Sequence, residues 1–497
     1  MKRSATFIVL PSVALALILS ALLSACSHRP ALPPTPIAPA QILPIQPLID
    51  SPASPEFGTL TLPPLTQQTL NNGVSVVTIP SARSPYLQVM LMVDAGRLLL
   101  GSHADVLAEM LRLTGSADSP ARWQQQWREL GATLSVRSGP HRLIFSAEVL
   151  PDKADALLQT LQQMWRAPNL RSAELLNQVQ RNLRVQQHEQ DLLGGDYARL
   201  WQQLGYGADH PYGNNALSRD ALQRITLTSL QQAWQQARSE KQQWLLAGTI
   251  NDALLPNWRQ QLASEPMSAT RARWRQLQAP LPSESMPPQA ALTFHLLNAD
   301  DAPQVNVMLG FALALPDAQS RWTCEAFAEL LGMEFSGRLF ADLRERRGLS
   351  YDVGAYCSAA PLASELVLHG STRPEHAAAF VHGMLVHLQL LSSQAAGADE
   401  LALLRGSLRG QTRVQLETAR QRSRLYNAME LLGGDWQSLI ARDEFWRELA
   451  PAALPAFAER WLRSSPVIVL RGDASALEKQ LQKVFPEAQI VRHDAVP

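Results

Sequence analysis

At 497 residues, with 46% hydrophobic and 18% charged positions, the chain is long enough for roughly two to four domains, each with its own core. Its 44 Lys+Arg balance 44 Asp+Glu, so no global field draws it to nucleic acid or anionic lipid, and no strong basic patch stands out. Nucleic-acid binding is set aside on that ground.

The first 26 residues read as an address. Lys2 and Arg3 form a positive n-region, Ile8 to Leu23 an apolar stretch, and Leu23-Ser24-Ala25-Cys26 looks like a bacterial lipobox. Cleavage before Cys26 leaves that thiol as a lipidated terminus, and Ser27, which is not Asp, favours the outer membrane on the periplasmic side. The competing expectation is a single-pass anchor. Residues 27–66 are dense in proline, which blocks helix and ladder pairing, so they are expected to be an extended tether.

From residue 67 the periodicity is globular. Leu87–Val93 is strand-like, a helix surrounds Val106–Leu113, and Gly131–Val136 and Leu143–Val149 read as strands. A helix with Leu157, Leu161, Met164 and Trp165 on one face follows, continuing into a helical stretch over 172–203. Prolines mark 265–290 as a linker. The order then repeats: strand 304–310, helix 324–331, strands 348–354 and 365–370, a helix carrying Ala378, Val381, Leu385 and Leu388, and a helical stretch over 399–432. Leu107-Ala108-Glu109-Met110-Leu111 aligns with Phe327-Ala328-Glu329-Leu330-Leu331, and Pro151 and Pro374 each open a helix directly after a strand. The expectation is an α+β protein of two homologous halves, 67–264 and 291–497, each a mostly antiparallel sheet covered mainly on one face by helices.

Leu331-Gly332-Met333-Glu334-Phe335-Ser336-Gly337-Arg338-Leu339-Phe340 is similar to the L-G-G-x-F-S-S-R-L-F segment of the pitrilysin/insulinase family of inverted zincins (peptidase family M16). Leu343-Arg344-Glu345-Arg346-Arg347-Gly348-Leu349-Ser350-Tyr351 resembles that family's L-R-E-K-R-G-L-A-Y signature, and His210-Pro211-Tyr212-Gly213 a shorter marker. The resemblance covers about residues 67–490 and implies a mitochondrial-processing-peptidase-like, LuxS-like metalloenzyme fold. It also implies that Arg344 and Tyr351 hold substrate backbone near a scissile bond, since a guanidinium can grip a carbonyl and a phenol can donate to an oxyanion. The bland alternative is an Arg344 ion pair with Glu345 or Asp342 and a Tyr351 that merely packs on a strand.

The zinc-binding His-x-x-Glu-His of active members would fall on Asp105, Ala108 and Glu109. Two imidazole ligands and the general base are therefore missing together. The family's third ligand, a Glu near 181–187, is missing as well; Glu174 and Glu189 fall too early and too late. His376, His382 and His387 sit at intervals of six and five, which do not converge on one helix face. Nucleophile elbows and phosphate-binding glycine loops are absent from the sequence. Cys324 and Cys357 carry no nucleophile signature; they can pair or remain two buried thiols.

No catalytic residue and no metal is therefore expected in this chain. The resemblance implies a homologous zinc-bearing partner subunit that keeps His-x-x-Glu-His, a peptide substrate shared with it, and zinc held by the partner alone. A non-enzymatic peptide-binding scaffold is the second reading. An active metallopeptidase with an atypical site at Asp105 and Glu109 is the third, opposed by Ala108, which cannot accept a proton.

Overall fold

The computed structural model describes residues 57–494 apart from 216, 254, 267, 270, 271, 278, 280–291 and 301. Cys26, the leader, most of the tether and much of the linker lie outside the described residues.

Two six-stranded sheets carry the fold. The first is built from β1 (Thr66–Thr69), β2 (Ser75–Pro80), β3 (Leu87–Val93), β4 (Ser135–Ser138), β5 (Leu143–Val149) and β6 (Gln242–Gly248), in the order β1-β2-β6-β3-β5-β4. The second uses β7 (Thr293–Asn298), β8 (Val305–Leu313), β9 (Ser350–Ser358), β10 (Ser364–Thr372), β11 (Val467–Gly472) and β12 (Gln489–His493), in the order β12-β7-β11-β8-β10-β9. Five strands superimpose in order and direction: β2-β6-β3-β5-β4 repeats as β7-β11-β8-β10-β9, each with one parallel pair followed by antiparallel ones. Only the outer strand differs. In the first half it is the antiparallel β1, and in the second the parallel β12.

Helices α1 (His103–Thr114), α2 (Pro120–Leu130), α3 (Ala154–Arg166), α4 (Ala173–Gln190), α5 (Asp196–Tyr206) and α6 (Leu227–Ser239) belong to the first half. The second half holds α7 (Ala318–Gly332), α8 (Ala377–Ser393), α9 (Ala398–Gln415), α10 (Ala419–Leu431), α11 (Ser438–Arg447), α12 (Ala453–Trp461) and α13 (Ala474–Val484). The expected helical stretch over 172–203 is broken at 191–195, where Gly194 takes φ 99°, and the stretch over 399–432 is broken between α9 and α10. Each break frees the following helix to leave its own half.

The two freed helices correct the expectation of sheets covered mainly on one face. Leu200 and Trp201 of α5 pack on Met308, Val367 and Val469 of the second sheet. Reciprocally, Leu425, Tyr426 and Met429 of α10 pack on Val77, Met90, Met92 and Leu245 of the first. With both faces covered, every residue of β3 and β6 is buried, and apart from Gln88, Gln242 and Gln243 these strands are apolar rather than alternating. The exchange makes the halves one unit.

Two further expectations are revised, and one open alternative is settled. Residues 57–65, assigned to the tether, dock: Leu60 is buried, Trp436 donates to the Pro63 carbonyl at 3.0 Å, and Phe57 lies under the Arg413 guanidinium at 4.6 Å. Within the linker, Trp274 is fully buried against His141, with ring centroids 4.3 Å apart. Cys324 and Cys357 form a disulfide, Cα–Cα 5.7 Å, tying α7 to β9. Of the two open alternatives the disulfide is the one formed; a 33-residue separation could not decide it, whereas the packing of α7 on β9 brings the two together.

Candidate functional site

Asp105, Ala108 and Glu109 lie on α1, whose apolar residues Val106, Leu107, Met110 and Leu111 are buried in the first core. Asp105 Oδ1 accepts from the Arg97 guanidinium at 3.0 Å and from the Ser138 hydroxyl. Ala108 is buried and offers no polar atom. Glu109 is turned to Arg112 on its own helix, which grips both carboxylate oxygens at 2.8 and 2.5 Å. His103 points instead to the Ser229 hydroxyl, 3.0 Å away.

On α4, where the third ligand would be needed, Gln187 donates to the Leu217 carbonyl at 2.8 Å, while Glu174 and Glu189 are exposed. Zinc does not fit this set. One carboxylate is paired with Arg97, the other is closed by Arg112, no imidazole stands at position 105 or 109, and Ala108 offers no general base. Among the described residues no group of three or more His, Cys, Asp or Glu is placed to hold a metal.

What remains is a cavity of about 580 Å³ between the halves, lined by Arg97, Asp105, His141, Gln187, Tyr206 and Tyr212 from the first and by Glu365 from the second. No motif or spacing in the chain marks His141, Tyr206 or Glu365 as site residues. The Tyr212 hydroxyl accepts from the Leu362 amide at 3.1 Å, which leaves its proton to be donated to His141 Nε2, 2.7 Å away. Burial, then the neighbouring charges of Arg142 and Arg275, push the His141 imidazole down to about 3, so it is neutral. Glu365 accepts from the Tyr206 hydroxyl at 2.8 Å; burial raises its carboxyl above the usual range against the opposing pull of Tyr206 and Tyr356. His210, in the short marker, is buried and accepts from the Tyr212 amide at 3.0 Å, which fixes Tyr212 in the wall.

A second polar join closes the halves beside this cavity. Arg142, at the foot of β5, is buried and donates to Asp94 at 2.5 Å, to Asn427 Oδ1 of α10 at 2.9 Å and to Glu430. Lys241 also reaches Glu430, at 2.5 Å. The cations gather at the C-terminal end of α10, where the helix dipole favours them.

Arg344 and Tyr351 are brought together, away from that cavity's lining. Arg344 leaves a π-helical turn, Phe340–Arg346, and its guanidinium lies between two rings, 4.5 Å from Phe340 and 4.3 Å from Tyr351. It also donates to the Tyr351 carbonyl at 3.0 Å, and Glu345 stands 3.4 Å away. Asp342, the other expected partner, is taken by Arg347 and His387. Tyr351 is 79% exposed on the edge strand β9, so packing does not account for it. The other two histidines serve separate contacts, His376, just before α8, with Arg373 and His382 of α8 against the Phe485 ring.

Two motif glycines have a geometric reason. A Cβ on Gly332 would stand 2.0 Å from the Ala355 amide, so α7 can end against β9 only without a side chain there. Gly337 is similarly pressed on the Met333 backbone.

Comparison with known proteins agrees with this architecture. Residues 245–408 match the family model described as the peptidase M16 inactive domain. Proteins of Mycobacterium bovis and Mycobacterium tuberculosis named as uncharacterized zinc proteases are 30% identical over 142 residues, 28% of this chain and 32% of theirs. The chain thus matches about a third of the length of these curated relatives. Among solved structures, a peptidase M16 inactive domain from Pseudomonas fluorescens has TM-score 0.69 at 18% identity, covering 82% of this chain and 98% of that one. A protease from Helicobacter pylori gives 0.69 at 17%, covering 83% and 100%. The periplasmic protease PqqL of Escherichia coli gives 0.63 at 15%, covering 92% of this chain and half of that one. At these identities the likeness is one of fold.

Proposed function

We propose, for a chain that carries a peptidase M16 inactive domain on that family's two-sheet fold, that it is the non-catalytic subunit of a zinc peptidase. It pairs with a homologue that keeps His-x-x-Glu-His and lends that partner Arg344 and Tyr351 for gripping substrate peptide. One observation carries the reading. The positions that would bind zinc are consumed by internal bonds, whereas Arg344 and Tyr351 stand together, Tyr351 exposed on an edge strand. The stack orients the guanidinium while leaving N–H groups for a carbonyl. The lipobox-like segment ending in Cys26 and the fold of a periplasmic neighbour support a periplasmic location, lipid-anchored to the outer membrane. No helix among the described residues is long and apolar enough to cross a membrane.

The test is peptidase turnover by this chain alone and mixed with a zinc-bearing homologue from the same cell. Silence alone with activity on mixing is the expected result. Chelator-sensitive activity of the chain alone overturns the reading of Asp105, Ala108 and Glu109. Silence in both, despite a stable complex, moves the weight to a peptide-binding scaffold.

A further inference from the structure

The outer edge of the second sheet holds a pair of histidines that the reading above does not use. His295 lies on β7 and His493 on β12, which run parallel with His493 opposite Leu297, so the two rings stand diagonally on the same face. His295 Nδ1 and His493 Nε2 are 3.1 Å apart, and both rings are only partly buried. Metal–imidazole bonds of about 2.0–2.1 Å spanned by such a separation subtend about 100° at the metal, between the tetrahedral and square-planar values.

We propose that His295 and His493 form a two-histidine site for a divalent transition-metal cation, Cu²⁺ before Ni²⁺ or Zn²⁺, with water completing the coordination. The order follows from the general affinity of nitrogen donors along the first transition row. Without metal, one ring must donate N–H to the other. Binding turns both facing nitrogens into acceptors: the donating ring moves its proton to its other nitrogen and both rings turn so that their lone pairs meet at the metal, with no net proton released. Asp494 follows His493 and adds negative charge beside the pair. Neither histidine lines the cavity that holds Asp105. The site would clip β12 onto β7, adding to the ladder between them and to the Arg492–Glu478 ion pair.

The experiment is titration of the full-length chain in detergent with Cu²⁺ and, separately, Zn²⁺, followed by calorimetry, thermal melting and Cu²⁺ electron paramagnetic resonance. The wild type should bind one Cu²⁺ that His295→Gln and His493→Gln each lose or bind at least tenfold more weakly. Its spectrum should show two-nitrogen coupling, and its melting temperature should rise with Cu²⁺ while those of the variants do not. If His295→Gln disturbs the metal-free fold, His493→Gln on the edge strand and the wild-type spectrum decide. Equal stoichiometry and affinity in wild type and His493→Gln, or a spectrum without two-nitrogen coupling, overturns the site.

Discussion

Replacing Arg142 by Met tests the closure of the two halves at its most concentrated point. The Arg142 and Asp94 side chains are 4% and 3% exposed, so the substitution strands a carboxylate away from water. Asp94 Oδ2 already lacks a partner, and Oδ1 loses the guanidinium. Glu430 keeps Lys241 and loses only part of its compensation. Breaking a buried pair by removing one partner costs about 3–5 kcal/mol, because the remaining charge stays desolvated. Urea unfolding of Arg142→Met at pH 7, followed by tryptophan fluorescence, should show that loss as a lower midpoint. Arg142→Met with Asp94→Asn should recover at least half of it, since the stranded charge is gone. A single-variant cost below about 1 kcal/mol, or a double variant whose cost is the sum of the two singles, would refute the reasoning.

Two more expectations follow from buried groups. His141 is held near pKa 3 against an ordinary 6.5, so the unfolded chain binds a proton there that the folded chain refuses. Stability from this ring is therefore full above pH 6.5 and falls with acidification, by about 2 kcal/mol at pH 5. The raised carboxyl of Glu365 acts in the opposite sense, so the measurement is the pH slope of stability in His141→Gln against wild type; equal slopes between pH 7.5 and 5 contradict the assignment. The Cys324–Cys357 disulfide closes a loop with a separation of 33 residues, and constraint of the unfolded chain predicts a loss of about 3–4 kcal/mol in Cys324→Ala/Cys357→Ala. Urea melts of that variant against the oxidised wild type check it, and coincident midpoints count against a disulfide.

Much of the fold was legible because it is local. The strands at 87–93 and 143–149, and the helices that follow them, stand where alternation, apolar runs and helix-opening prolines put them. The duplication was legible too, since both halves spell the same order of elements. What covers an apolar face was not. Periodicity shows that α5 and α10 have such a face, but only the breaks at 191–195 and 416–418 let each cross to the other sheet. The same limit hid the cavity wall. His141, Tyr206 and Glu365 are far apart in sequence, carry no motif, and meet only when the halves close. The degenerate helix was the reverse case, because three residues at fixed spacing report missing chemistry without any need of the fold. Its consequence was invisible until Arg97, eight residues before Asp105, and Arg112 were seen closing both carboxylates.

The central claim is that Arg344 and Tyr351 act in a partner's active site. Its most direct test is turnover of the mixed pair with Arg344→Ala in this chain, measured beside assembly by analytical ultracentrifugation. Removing one such donor typically costs 10²–10³ in kcat. The account predicts a fall of about that size with the complex intact and zinc content unchanged. Turnover equal to wild type in a fully assembled complex would contradict it.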